Sequence, residues 1–177
     1  LDIQDYEPED KALEIKHRPE SGTPIKNKFN GERFIGLSDE TCDILDAWIA
    51  DRRPERKDNE GREPLLATPQ GRPHPTTIQT YLYSVTKPCF STGECPHGRV
   101  IEDCDAAADR TKASKCPSSM SPHALRRGAI THWLSSDMPE TVVSDRGNVS
   151  PEILSKHYDR RSERKKMEQR RQFLDNI

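Results

Sequence analysis

The sequence predicts a mainly α fold with a small antiparallel β-sheet, an α+β arrangement of about three strands at most. Three observations predict it. Two stretches of alternating apolar and polar residues, Ala12 to Arg18 and Glu32 to Leu37, flank the turn-rich PESGTPIKNKFNG, which is the pattern of a β-hairpin. Ser-Pro pairs at Ser121-Pro122 and Ser150-Pro151 each open a helical periodicity, with the serine able to cap and the proline suited to the first turn. No run approaches the roughly 18 consecutive apolar residues of a spanning helix, so a membrane protein is excluded.

The elements follow in chain order. The tip of the hairpin is basic, with Lys26 and Lys28 close together. Ser38 offers a cap oxygen ahead of Asp39 and Glu40, acids that suit a helix N-terminus, and Leu45, Trp48 and Ile49 share a helical face beside Cys42, which places that thiol in the core. DRRPERKDNEGREP reads as a polar linker to the short apolar LLAT at Leu65 to Thr68. A second helix is predicted from Pro75 to Lys87, where Ile78, Leu82 and Val85 align. Residues 88–120 have no sustained period and hold four of the five cysteines. Helical order returns over Pro122 to Ser135, then in PETVVSD up to a break at Gly147, in PEILSKHYD, and in a charged helix over Ser162 to Leu174. No internal repeat is evident.

Composition bounds the reading. With 177 residues, 33% charged, 31% hydrophobic and 6% aromatic, the chain has room for one domain, residues 1–177, with residues 88–120 as a Cys-rich insertion. Leu1 opens onto the acidic LDIQDYEPED and not onto a signal peptide, so a cytoplasmic location is expected. The net charge of -2 argues against a simple polyanion-binding module, yet it is unevenly spread: -6 over residues 1–60, +2 over 61–100, -1 over 101–150 and +3 over 151–177. Basic groups gather in GRPHPTT, HALRRG and YDRRSERKKMEQRR, which form either a basic surface or a solvated C-terminal helix.

His123 and Arg126 are three apart on a predicted helix, so both leave one face and can converge on one anion. A histidine donates a hydrogen bond or moves a proton, and an arginine fork matches two phosphate oxygens. Tyr158 follows Arg126 by 32 residues, near the end of a short helix and just before a basic segment.

Taken together, HALRRGAITHWL and DRGNVSPEILSKHYD resemble the carboxy-terminal catalytic domain of the tyrosine recombinases, the phage integrase family. The likeness extends over nearly the whole chain, and its second half is the specific part. CPHG, KCPSS and SPHALRRG are further similar to integrase-like proteins of haloarchaea and their mobile elements. The resemblance implies a mainly helical domain with a small sheet, whose hairpin carries a catalytic lysine. It implies that Tyr158 is the nucleophile, that His123 and Arg126 are the His-x-x-Arg pair, and that Lys26 is the hairpin lysine, with Lys28 the alternative. Where the family has His or Trp after a glycine, this chain has Asn148, which can donate a hydrogen bond but cannot shuttle protons near neutral pH. The family's first catalytic arginine, in an Arg-x-Gly-Glu segment, would fall upstream of Leu1, so the chain looks like a truncated catalytic domain.

The implied activity is site-specific DNA recombination through a covalent 3′-phosphotyrosine, without a cofactor for catalysis. Double-stranded DNA is the implied partner, with a homo-oligomer assembled on it. Lys28, Arg127, Arg160 and Arg161 are candidate phosphate contacts. Alternatively, the helix after the tyrosine docks on a neighbouring protomer through Met167, Phe173, Leu174 and Ile177. Asn148 and the absent arginine also suit a non-catalytic DNA-binding or assembly protein on the same fold, and a phosphotyrosine topoisomerase is a further alternative.

Cys89, Cys95, Cys104 and Cys116 supply enough soft ligands for a tetrahedral structural zinc, with His97 in reserve. Their spacings of 5, 8 and 11 intervening residues lack the C-x-x-C of a zinc signature, so unlinked thiols are the other reading.

Overall fold

A computed structural model describes residues 1–159, 161–171 and 174, and the chain forms two compact units, Leu1–Thr77 and Ile78–Ile177. The first is built on the predicted hairpin. Strand β1 (Tyr6–Glu7) pairs with β2 (Ala12–Ile15), and β2 pairs antiparallel with β3 (Arg33–Gly36), in the order β1-β2-β3 and with Leu13 opposite Ile35. The long connection between β2 and β3 contains two short 3-10 turns, Pro19–Ser21 and Lys28–Gly31.

Helix α1 (Asp39–Ala47) starts where the sequence places it: Ser38 Oγ accepts from the Thr41 amide at 3.3 Å. It runs directly into a π turn, Trp48–Arg52, which lets Trp48 Nε1 donate to the Leu65 carbonyl at 2.8 Å. Tyr6, Cys42 and Leu65 form the core of this unit, flanked by Leu13, Leu37, Leu45 and Ile49. Cys42 is therefore a core thiol.

The stretch 51–64 is no free linker. Asp58 accepts from Arg72 at 2.8 Å and pairs with Arg62 at 3.3 Å. Arg62 and Arg72 both also reach the buried Asp2, and Arg18 grips the buried Asp5 with both guanidinium nitrogens, at 2.9 and 2.5 Å. Each acid meets a planar fork suited to it, the arrangement that makes a buried carboxylate tolerable. Burial pushes the Asp5 carboxyl up, but hydrogen bonds from Arg18 and from the Asp2 amide outweigh it and hold Asp5 below the usual carboxylate range.

Helix α2 (Pro75–Val85) leads into the second unit, which continues with α3 (Pro88–Thr92), α4 (Asp105–Ala108), a 3-10 turn at Arg110–Lys115, α5 (Pro122–Ser135), α6 (Glu140–Gly147), α7 (Pro151–His157) and α8 (Glu163–Arg171). The segment without sequence periodicity thus consists of short helical pieces, and α2 stops short of Lys87. The core lies between α5, α6 and α7: Ile130, Leu134, Val143, Leu154 and Tyr158 are buried together, with Trp133, Met138 and Val149 against them. No helix among the described residues is long and apolar enough to cross a membrane.

Candidate nucleic-acid and phosphoryl-transfer site

Helix α5 presents His123 and Arg126 one turn apart near its start, which Ser121 fixes by accepting from the Ala124 amide at 3.2 Å. Both side chains are exposed, as is Arg127. On the same helix Ile130 is buried, so the first two turns carry the cations and the following turns anchor the helix.

Arg126 reaches the end of α6. Its Nη2 donates to the Gly147 carbonyl at 2.5 Å and lies 3.5 Å from the Asn148 carbonyl. The glycine sits in a close-packed spot: a Cβ at position 147 would stand 3.2 Å from Val149 Cγ1, which would have to give by a few tenths of an ångström, and 3.7 Å from Ile130 Cδ1. Asn148 then caps α6 in the left-handed region, φ 46° and ψ 58°, a conformation that asparagine accepts more readily than most residues. Its identity here therefore has a backbone reason independent of any chemistry. Ser144 locks the turn by donating from Oγ to the Val149 carbonyl at 2.7 Å, and Ser150 caps α7 ahead of Pro151.

Tyr158 stands at the end of α7, its amide donating to the Leu154 carbonyl at 3.0 Å. Its ring is packed in the core with only 8% of the residue exposed, and its hydroxyl bonds to no protein group among the described residues. Arg126, Gly147, Asn148 and Tyr158 are thus gathered on consecutive helices around one core, with Ile130 touching both the Gly147 position and the Tyr158 cluster. Lys26 and Lys28 are exposed in the first unit, in the connection between β2 and β3. Lys28 begins a 3-10 turn with φ 51°.

The basic segment after the tyrosine is largely engaged with its own chain. Arg161 donates to Asp159 at 2.8 Å, to Glu140 at 2.7 Å and to Gln169 at 2.5 Å, and only 8% of its side chain is exposed. The Arg161 hydrogen bonds, aided by Lys166, hold the Asp159 carboxyl far below the usual carboxylate range. Gln169 donates to the Leu134 carbonyl at 3.1 Å and Lys165 pairs with Asp137 at 3.2 Å, so α8 docks on the α5–α6 corner. Met167 and Leu174 are exposed. Arg160, Phe173 and Ile177 lie outside the described residues. Asp159 is the member of this group that sequence reading missed; its only signal was its place between Tyr158 and the arginines.

Cys89, Cys95, Cys104 and Cys116 are all free thiols and, with His97, line one small cavity. Among the described residues no three His, Cys, Asp or Glu side chains are already drawn together closely enough to hold an ion.

No protein-family model matches the chain, and no curated protein matches it in sequence. Solved structures do match in fold. The Tn1549 transposon integrase in complex with a circular intermediate DNA aligns over 100% of this chain and 52% of its own, at TM-score 0.62 and 16% identity. The same integrase in complex with transposon right end DNA gives 0.61 and 13%, again over 100% and 52%. XerA recombinase gives 0.57 and 15%, over 98% and 50%. The chain therefore spans about half the length of these proteins, and over that span it has the tyrosine recombinase catalytic-domain fold.

Proposed function

We propose that this chain is the catalytic part of a site-specific DNA recombinase that cuts and rejoins double-stranded DNA through Tyr158. The observation that carries the reading is the gathering of Arg126, Gly147-Asn148 and Tyr158 on α5, α6 and α7, in a chain whose fold is that of DNA-bound integrases. The same reading places the chain among the integrase-like proteins of haloarchaeal mobile elements.

In this mechanism the Tyr158 hydroxyl attacks a backbone phosphorus in line. The P–O5′ bond breaks, a 3′-phosphotyrosine forms, and a 5′-hydroxyl leaves after taking up a proton. By the family resemblance Lys26 or Lys28 is the source of that proton, and the proton from Tyr158 passes to a base or to water. Charge building on the non-bridging oxygens is met by the Arg126 fork and by a donor from His123, with Asn148 adding a hydrogen bond. Because the phosphotyrosine preserves the bond energy, the 5′-hydroxyl of another strand reverses the step without ATP. The bond from Arg126 to the Gly147 carbonyl holds the guanidinium in place before DNA arrives, which lowers the reorganisation left for the transition state.

Burial of Tyr158 adds a condition. The ring packs against the Leu134, Val143 and Leu154 cluster, so in this mechanism a local opening at the end of α7 brings its hydroxyl to the phosphate. Binding of DNA and of a second protomer on it is the event that supplies this opening. Exposed Arg127 and Lys28 contribute phosphate contacts; Arg160, outside the described residues, is a further candidate by its charge alone.

Burial of Tyr158 also favours a second reading, a non-catalytic DNA-binding protein on this fold. Incubation of the intact protein with a nicked suicide duplex bearing its target site, without ATP, separates the two. A recombinase accumulates a covalent protein–DNA species resistant to denaturant, whereas the non-catalytic protein gives only salt-sensitive binding.

A further inference from the structure

We infer that Cys89, Cys95, Cys104 and Cys116 bind one structural zinc ion that holds the 88–120 segment together, a role separate from DNA chemistry. The first support is placement. Cys89 lies on α3; Cys95 opens a tight turn closed by Gly98 (φ 65°), whose amide donates to the Cys95 carbonyl at 3.2 Å. Cys104 precedes α4 and Cys116 ends the 3-10 turn at Arg110–Lys115. Four thiols scattered over 28 residues of sequence are thereby brought around one cavity of about 10 Å³, room for a single water-sized particle.

The second support is what else could hold the segment. Within residues 88–120 the only buried side chains are those of Ala106 and Ala113, while Phe90, Val100 and Met120 are exposed. Ordering each residue costs about 1 to 2 kcal/mol of backbone entropy, and so small an apolar core offsets little of it, which favours a cross-link of another kind. With all five cysteines free, a metal is the cross-link these side chains can make.

The third support is charge. Lys87 is only 4% exposed and lines the same cavity, donating from Nζ to the Ala106 carbonyl at 2.5 Å, and no carboxylate pairs with it among the described residues. Arg99 lines the cavity as well. A buried ammonium without an anion is costly. Four thiolates around a divalent ion carry two net negative charges, which Lys87 and Arg99 neutralise, and zinc also fits this soft, all-sulfur donor set.

The test is metal analysis of the intact protein purified in reducing, chelator-free buffer. About one zinc per chain is expected, with cobalt substitution giving the visible bands of a tetrahedral thiolate site. C104S and C116S should lose the metal, whereas C42S, in the core of the first unit, and H97A should keep it. Should the serine variants fail to fold, wild-type protein still decides the matter: chelation should open residues 88–120 to limited proteolysis, and added zinc should close them. Metal-free protein with no cobalt thiolate bands on titration, two disulfides in place of zinc, or loss of zinc in H97A with retention in a cysteine variant would each overturn the assignment. None of these readouts depends on whether the protein cleaves DNA.

Discussion

The Arg126 guanidinium donates a 2.5 Å hydrogen bond to the Gly147 carbonyl, tying the second turn of α5 to the last residue of α6. This bond fixes the fork that the proposed mechanism aims at the phosphate. R126A should slow formation of the covalent complex on the order of 10² to 10³-fold, the usual cost of one preorganised donor. R126K keeps the charge but cannot serve carbonyl and phosphate together, and should recover only part of the rate. Single-turnover cleavage on a suicide substrate measures both.

Leu154, at 1% exposure, packs beside Tyr158 in the second unit's core. L154A should destabilise that unit by about 2 to 5 kcal/mol, read from urea unfolding. Y158F, which keeps the ring and removes a hydroxyl with no protein partner among the described residues, should change stability by less than about 1 kcal/mol. The contrast separates the packing role of the tyrosine ring from the chemical role of its oxygen.

Acid should unfold the protein through particular carboxylates. Asp159 is held low chiefly by the Arg161 hydrogen bonds; for Asp5 and Asp58, burial pushes the carboxyl up but arginine and backbone donors prevail and hold it low. A carboxylate whose folded value is depressed contributes stability that is complete above its unfolded value and is lost as pH falls toward the folded one. Melting temperature should therefore be flat near neutrality with respect to these groups and should fall below about pH 4. D159N should shrink that acid-dependent loss while lowering stability at pH 7.

Arg161 links Asp159, Glu140 and Gln169, so it braces the segment after Tyr158 against α6 and α8. R161A leaves the buried Asp159 with Lys166 alone as cationic partner, and should cost on the order of 3 kcal/mol because most of the charge's compensation is lost. K165A, at a half-exposed pair with Asp137, should cost less than about 1 kcal/mol. Thermal melts of both variants check the ranking.

Local signals were the legible ones. Ser121-Pro122 and Ser150-Pro151 marked helix starts that the structure keeps, Ser38 capped α1 as its type demanded, and alternation over residues 12–15 and 33–36 found the hairpin. What escaped depends on partners distant in sequence. DRRPERKDNEGREP has the composition of a linker, yet Asp58 and Arg62 join a buried ion network with Asp2, some 60 residues away. The π turn at Trp48–Arg52 has no periodicity of its own and accompanies the hydrogen bond from Trp48 to the distant Leu65. At the candidate site, the family resemblance pointed to His123, Arg126 and Tyr158, but not to Arg161 being spent on Asp159 and Glu140, because charge alone does not say which surface an arginine faces.

The central claim is that the Tyr158 hydroxyl carries the DNA, and mapping the adduct tests it most directly. The covalent species formed by the intact protein on a suicide duplex is digested with protease and nuclease, and the modified peptide is identified by mass spectrometry. The account predicts a nucleotide phosphate on Tyr158, at the 3′ side of the break, and no covalent species from Y158F although its salt-sensitive DNA binding persists. An adduct on any other residue, or an undiminished covalent complex from Y158F, would contradict it.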